Sequence, residues 1–323
     1  MSSHIIETAL GPVECAIVGQ GPAVLIIHGC PGGYDQGLIA TRLTKGHRFK
    51  FIALSRPGYL RTPLEVGATP EAQADAYAGL LDALQIPKAA VIGISGGGPS
   101  ALQFALRHPN RCQALVTVSA ISRCLSPADI KNCKSLVRRM LFAIDLAFKL
   151  GRALVAMAGQ KCRKTLVSMG TKTHKYEARE LNPQENLELV LELLRSFGVI
   201  SPRTTGLEND MVQLTTMPIY PLEWITSPTL VMHGSADQLV PLAHAEFIAS
   251  TVPHAKLITV ENGGHLFFAT HREQVVPELI EFLKLSTRDA SSESQAMETN
   301  DARLATSGLS SRHQLVPDSL SGT

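Results

Sequence analysis

The chain has 323 residues, 45% of them hydrophobic and 18% charged, with a formal net charge of +2. That composition supports a sizeable core and excludes a disordered chain, and it leaves one large domain or two modest ones open. The near-neutral balance removes any global argument for nucleic acid or a strongly acidic partner. The N-terminus, MSSHIIETALGPVECAIVG, has neither a basic leader nor a clean apolar stretch, so no signal peptide is expected. Residues 140–159 are the longest apolar segment, and Asp145, Lys149 and Arg152 break it, which argues against a membrane span. The cysteines, Cys15, Cys30, Cys112, Cys124, Cys133 and Cys162, form no C-x-x-C pair and no zinc spacing with histidine. Their scatter suits a reduced, cytoplasmic protein, although an even number leaves a secreted one open.

In chain order, Ala23–Ile27 is a short apolar run ending in His28-Gly29, and 49–54 is another, ending in Ser55-Arg56-Pro57-Gly58. Thr69-Pro70-Glu71 reads as an N-cap, a proline at the first helical position and an acid in the first turn. Ala76, Leu80 and Leu84 follow at helical spacing. Ala89–Ile94 reads as a strand, 100–107 as a helix and 114–119 as a strand. Near-continuous apolar strands alternating with helices predict a parallel sheet covered on both faces. From Ile121 the pattern is helical without strand signals. Residues 135–158 are amphipathic, Asn182-Pro183-Gln184-Glu185 resembles a capping box, and Gly198 closes the helix behind it. Strands resume at 229–233 and at Lys256–Val260, and a helix follows over 273–284. The expected organisation is an α/β core of residues 1–120 and 208–285, a helical insert at 121–207, and a Ser/Thr-rich disordered tail at 286–323.

The stretch VIGISGGGPSALQF places one serine at a glycine-packed turn between strand and helix. A structural glycine turn is the simplest reading. A dinucleotide loop also fits, since Gly96-Gly97-Gly98-Pro99-Ser100-Ala101 matches G-x-G-x-x-A, but the next strand ends in Ser-Ala-Ile-Ser, without the acid a ribose requires. The third reading is a nucleophile elbow. A strained turn pushes Ser95 out above the sheet, and Gly93 and Gly97 keep the crowded backbones apart. The helix that follows points its positive end at the site.

The elbow demands further parts. Two backbone N–H donors are expected for a developing oxyanion, Gly96 after the serine and one from the loop His28-Gly29-Cys30-Pro31-Gly32-Gly33. Pro31 has no N–H, so Cys30 is the expected second donor, by its backbone and not its thiol. An acid and then a histidine should follow. Asp237 stands in the loop after 229–233 and His265 in the loop after Lys256–Val260, each at the carboxyl end of its strand. The expected catalytic roles are attack by Ser95, proton transfer through His265, and orientation of the imidazole by Asp237. Taken singly, Asp237 reads as a turn former and His265 as a loop histidine; their order and placement carry the joint reading. Glu261 is a weaker rival to Asp237, and His28 and His233 read as packing under the loops.

Together HGCPGG, SRPGY, GISGGG, HGSADQLVP and GGH resemble the α/β-hydrolase superfamily over about residues 20–285. That resemblance implies the α/β-hydrolase fold: a mostly parallel eight-stranded sheet with helices on both faces, a helical cap inserted after the sixth strand, and no cofactor or metal. Cap-bearing relatives that open epoxides or remove halides use Asp at the elbow, where this chain has Ser95. Many relatives carry D-x-x-G-x-G after the fourth strand; here it is Ser55-Arg56-Pro57-Gly58-Tyr59-Leu60, with the second glycine lost. HGCPGG is also similar to the HGGPG of proline iminopeptidases, but the acidic cap cluster that holds a free amino terminus is not evident. From 122 to 176 many basic residues, among them Arg138, Arg139, Lys149 and Arg152, stand against only Asp129 and Asp145. A solvated outer face explains them, and so does attraction of an anionic substrate or membrane surface.

The leading expectation is a cytoplasmic serine hydrolase that cleaves a carboxylic ester or related carbonyl compound, with a small apolar substrate under the cap. One alternative is meta-cleavage-type C–C hydrolysis, in which Arg56 or a cap arginine would hold a substrate carboxylate. Another is a slow or non-catalytic ligand-binding protein of the same fold.

Overall fold

The computed structural model describes residues 2–42, 48–131, 192, 196 and 201–287. Its strands are β1 (His4–Thr8), β2 (Gly11–Val18), β3 (Ala23–Ile27), β4 (Lys50–Leu54), β5 (Ala89–Ile94), β6 (Cys112–Val118), β7 (Thr229–Gly234) and β8 (Lys256–Val260). They form one eight-stranded sheet in the order β1-β2-β4-β3-β5-β6-β7-β8. The β1–β2 hairpin and the β2–β4 pair are antiparallel, and every pair from β4 through β3 to β8 is parallel. The strands read from apolar runs are the central ones. β3 is buried along its whole length, and so is β7, because helices cover both faces.

Side chains alternate between two cores, as the two-residue period of a strand requires. Leu25, Ile27, Leu54 and Val91 join the core shared with α2 (Pro70–Ala83), α3 (Gly98–Arg107) and α5 (Ala243–Thr251). Val24, Ile26, Phe51 and Ile92 join the opposite core with Val275, Leu279 and Leu283 of α7 (272–287). Each large aliphatic side chain buried this way contributes about 1.5–3 kcal/mol. α1 (Tyr34–Arg42) lies on this second face, close to β4: a Cβ on Gly37 would stand 2.7 Å from that of Ala53. α2 begins as expected, with Thr69 Oγ1 accepting from the Ala72 N–H at 3.2 Å and Pro70 in the first turn.

Two expected boundaries meet continuous helix. α4 (Thr204–Thr216) runs through residues 207–208, where the insert was expected to end. Its N-terminal part docks on the loop after β4. The Gly206 N–H donates to Gly58 O at 2.8 Å, and the Leu60 N–H donates to Pro202 O at 2.8 Å. A Cβ on Gly206 would fall 2.3 Å from the Tyr59 ring, so the contact requires glycine there. α7 continues through Thr287, whose hydroxyl donates to Leu283 O, past the expected start of the tail. The expected amphipathic segment 135–158, the capping box at 182–185 and residues 288–323 lie outside the described residues.

All of β3 to β8 present their carboxyl ends to the same edge of the sheet. The loops at 28–33, 55–62, 95–97, 235–241 and 261–265 gather there.

Candidate active site

β5 runs into a tight turn at Ser95–Gly97 before α3 begins at Gly98. Ser95 takes φ +50°, a left-handed conformation that costs an L-residue about 1–2 kcal/mol. The glycines around it are steric necessities. A Cβ on Gly93 would lie 2.4 Å from that of Ala101, and one on Gly97 would lie 2.5 Å from His28 O and 2.7 Å from Ile27 O. The turn can form only because both positions lack side chains.

Three residues from three loops meet above it. His265 Nε2 lies 3.1 Å from Ser95 Oγ, and His265 Nδ1 lies 2.8 Å from Asp237 Oδ2. With the Nδ1–H donating to the carboxylate, Nε2 is left to accept from the serine hydroxyl. Asp237 is held by its own loop, since Oδ1 accepts from the Leu239 and Val240 N–H groups at 2.9 and 3.0 Å. Burial works to raise the Asp237 carboxyl, but the charge and hydrogen bond of His265, with help from His233, outweigh it and hold the pKa below the ordinary value. The loops of β7 and β8 are stitched by the Ala236 N–H donating to Gly263 O at 2.8 Å, and a Cβ on Gly234 would collide with that same oxygen.

The rival acid, Glu261, is exposed and does not reach His265, whose Nδ1 is taken by Asp237. His28 is buried, with Nδ1 2.7 Å from Gly29 O and Nε2 accepting from the Arg56 N–H at 2.9 Å. Burial and the nearby Arg56 charge push its pKa well below the usual imidazole range, so it is a neutral strut for the loop. His233 is buried as well and does more than pack. Its Nε2 bonds Val240 O at 2.9 Å and stands 3.4 Å from Asp237 Oδ2, forming a second wall around the acid.

Gly96 and Cys30 lie backbone against backbone. A Cβ on Gly96 would fall 2.8 Å from Cys30 Cβ and 3.4 Å from Cys30 N. Neither N–H donates to a protein acceptor among the described residues. Burial pushes the Cys30 thiol well above its usual value, and the Asp210 charge adds to the effect.

Arg56 is the residue whose role changes most. The sequence offered it as a holder of a substrate carboxylate. Instead it is 2% exposed and committed within the protein. Nη1 donates to Asp210 Oδ1 and to Gly96 O, both at 3.1 Å, and Nη2 pairs with Asp210 Oδ2. The Tyr59 hydroxyl donates to the same carboxylate at 2.6 Å, and the Tyr59 ring lies under the guanidinium at 5.1 Å. Burial works against the charge on Arg56, but Asp210 more than offsets it and the pKa rises. Asp210 projects from α4, so this pair ties α4 to the residue that follows the serine. Nothing in GLENDMVQL marked Asp210 as buried, because its partner lies 154 residues away. Arg203, just before α4, adds a second tie through Gly32 O at 3.0 Å and an ion pair with Asp35 of α1. The basic residues from 132 to 176 lie outside the described residues.

Among the described residues no helix is long and apolar enough to cross a membrane. Comparison with known proteins agrees with the fold. An alpha/beta hydrolase fold protein from Nakamurella multipartita is 34% identical, with a TM-score of 0.70 over 87% of this chain and 99% of that one. The uncharacterized hydrolase YcgS of Bacillus subtilis (strain 168) is 28% identical over 272 residues, 80% of this chain and 89% of its own length. A pimeloyl-(acyl-carrier protein) methyl ester esterase of Xanthomonas campestris pv. campestris (strain B100) is 27% identical over 270 residues, 83% of this chain and 97% of its own length. Residues 22–272 match the family described as alpha/beta hydrolase fold, and the chain belongs to that family and is a hydrolase.

Proposed function

We propose that the protein hydrolyses carboxylic esters with an apolar arm, through an acyl-enzyme on Ser95. The observation that carries this reading is the unbroken line from Ser95 Oγ to His265 Nε2 at 3.1 Å and from His265 Nδ1 to Asp237 at 2.8 Å, built on a serine at φ +50°. Ser95 Oγ attacks the ester carbonyl carbon while His265 Nε2 takes its proton. The carbonyl oxygen gains the negative charge and accepts from the Gly96 and Cys30 N–H groups, each such donor lowering the barrier by about 3 kcal/mol. The imidazolium then protonates the departing alcohol oxygen. Water repeats the sequence in the second half, with His265 as base, and the acid leaves. Asp237 keeps the proton on Nδ1 and stabilises the imidazolium without accepting a proton itself. The relatives named as esterases support the ester as substrate class.

C–C hydrolysis with Arg56 as carboxylate holder loses its support, because both Nη atoms of that guanidinium are already engaged by Asp210 and Gly96 O and one of its faces by Tyr59. The test is turnover of p-nitrophenyl esters by wild type, Ser95→Ala and Asp237→Asn. The expected result is no turnover above background with alanine at 95, and a kcat lower by roughly 10⁴ with asparagine at 237. Full activity in Ser95→Ala would refute the reading. A folded wild type without turnover on any ester would favour a ligand-binding role.

A further inference from the structure

The expected apolar site under the insert has a rival within the core. A cavity of about 130 Å³ lies between the second face of the sheet, α1 and the C-terminal helices α6 (Phe267–Thr270) and α7. Its floor is Ile26, Phe51 and Ile92, and its walls are Ile39 and Ala40 of α1 with Phe268 and Leu279 opposite. Among the described residues, none from 121–131 or 201–207 lines it.

The cavity borders the reacting groups. Gly29 and His265 line it, and Ile94, which precedes the serine, lines it too. Gly29 is in van der Waals range of the nucleophile: a Cβ there would stand 3.1 Å from Ser95 Cβ and 3.6 Å from Oγ. Gly29 and His265 thus set one end of the cavity beside the Ser95 hydroxyl. The polar groups of the wall have little to offer a ligand. His28 has both ring nitrogens engaged, and Gln36 Nε2 donates to Pro31 O at 3.0 Å. Such a lining prefers hydrocarbon to water. In size it approaches the ~150 Å³ apolar cavities that stay dry and take up benzene.

We propose that this cavity is the binding site for a hydrocarbon arm of the ester, of phenyl size or about four to six carbons, attached next to the reacting carbonyl. The proposal rests on the reading of Ser95 as nucleophile. The arm comes from either the acid or the alcohol, and two ester series separate them: one varies the acyl chain on a fixed p-nitrophenyl leaving group, the other varies the alcohol on a fixed acetyl group. Each methylene buried should raise kcat/KM about three- to fourfold until the cavity is full, in one series only. Ala40→Phe fills the cavity from α1, away from the reacting groups. It should lower kcat/KM at least tenfold for the best ester, with a loss that shrinks as the arm is shortened. Phe268→Ala enlarges the cavity and should move the optimum to longer arms, which keeps the test open if the first variant folds poorly. Parallel chain-length profiles in wild type and both variants, with turnover intact, would overturn the cavity proposal alone. Absence of turnover on every ester together with absence of covalent labelling at Ser95 would overturn the reading of the site, and the cavity proposal with it.

Discussion

Among the loops at the carboxyl edge of the sheet, those after β5 and β4 each carry a left-handed non-glycine residue, and they use it differently. After β5, Ser95 sits at φ +50° with glycines on either side, and the distortion presents its hydroxyl to His265. After β4, Leu60 sits at φ +54°, and there the distortion lets its N–H reach Pro202 O, seating the chain just before α4. The first loop is shaped by what is absent, since Gly93 and Gly97 stand where any side chain would strike backbone or Ala101. The second is held by what is present: Arg56, Tyr59 and Asp210 in one buried cluster, and Ser55 donating to Glu14 Oε2 at 2.9 Å. Backbone strain by itself therefore does not identify a reactive residue; a strained residue with a base at hydrogen-bond distance does.

The comparison is broken most strongly at Arg56. Arg56→Met leaves the Asp210 carboxylate buried without its partner, and unfolding measurements should show a loss of about 3–5 kcal/mol. The double variant Arg56→Met/Asp210→Leu removes both charges and should recover most of that loss. If the double variant were as unstable as the sum of its single variants, the two residues would not act as a pair.

Glu14 gives a smaller effect with a defined pH sign. It accepts from Ser3 and Ser55 hydroxyls and from Arg61, and these bonds hold its pKa below the ordinary 4.5 although burial opposes them. A depressed folded-state value means that the stabilisation is present above 4.5 and lost as pH falls through the folded value. Glu14→Gln should cost about 1–2 kcal/mol at pH 7, and the gap in Tm to wild type should close on acidification. A gap that widens at low pH would contradict the assignment.

The smallest effect is expected at Leu60. Leu60→Gly releases about 1–2 kcal/mol of left-handed strain, but it gives up contacts over Gly33 and adds unfolded-state freedom. Its Tm should stay close to wild type, whereas Leu60→Val, branched at Cβ, should melt lower than either. A valine variant as stable as wild type would show that the loop relaxes out of the left-handed region.

What the sequence disclosed follows the same division. The elbow was legible because its constraint is local: serine and its glycines lie within five residues. Asp237 and His265 were legible because strand ends are marked by apolar runs breaking into Gly, Ser and Asp. β1 was not legible, since an edge strand with mostly exposed His4, Ile5 and Glu7 carries no clean alternation. The Asp210–Arg56 pair was misread from one side and missed from the other. A polar residue on an otherwise amphipathic helix gives no sign that a distant guanidinium waits for it. The cavity beside Gly29 was also invisible, because it is made by the spacing of α1 and α6 over the sheet and by no motif.

The most direct test of the central claim is labelling with a fluorophosphonate, read by intact mass, on wild type and Ser95→Ala. The account predicts one adduct on wild type, formed in the time that an activated serine needs, and none on the variant. An adduct that persists in Ser95→Ala, or a folded wild type that never reacts, would contradict the assignment of Ser95 as the nucleophile.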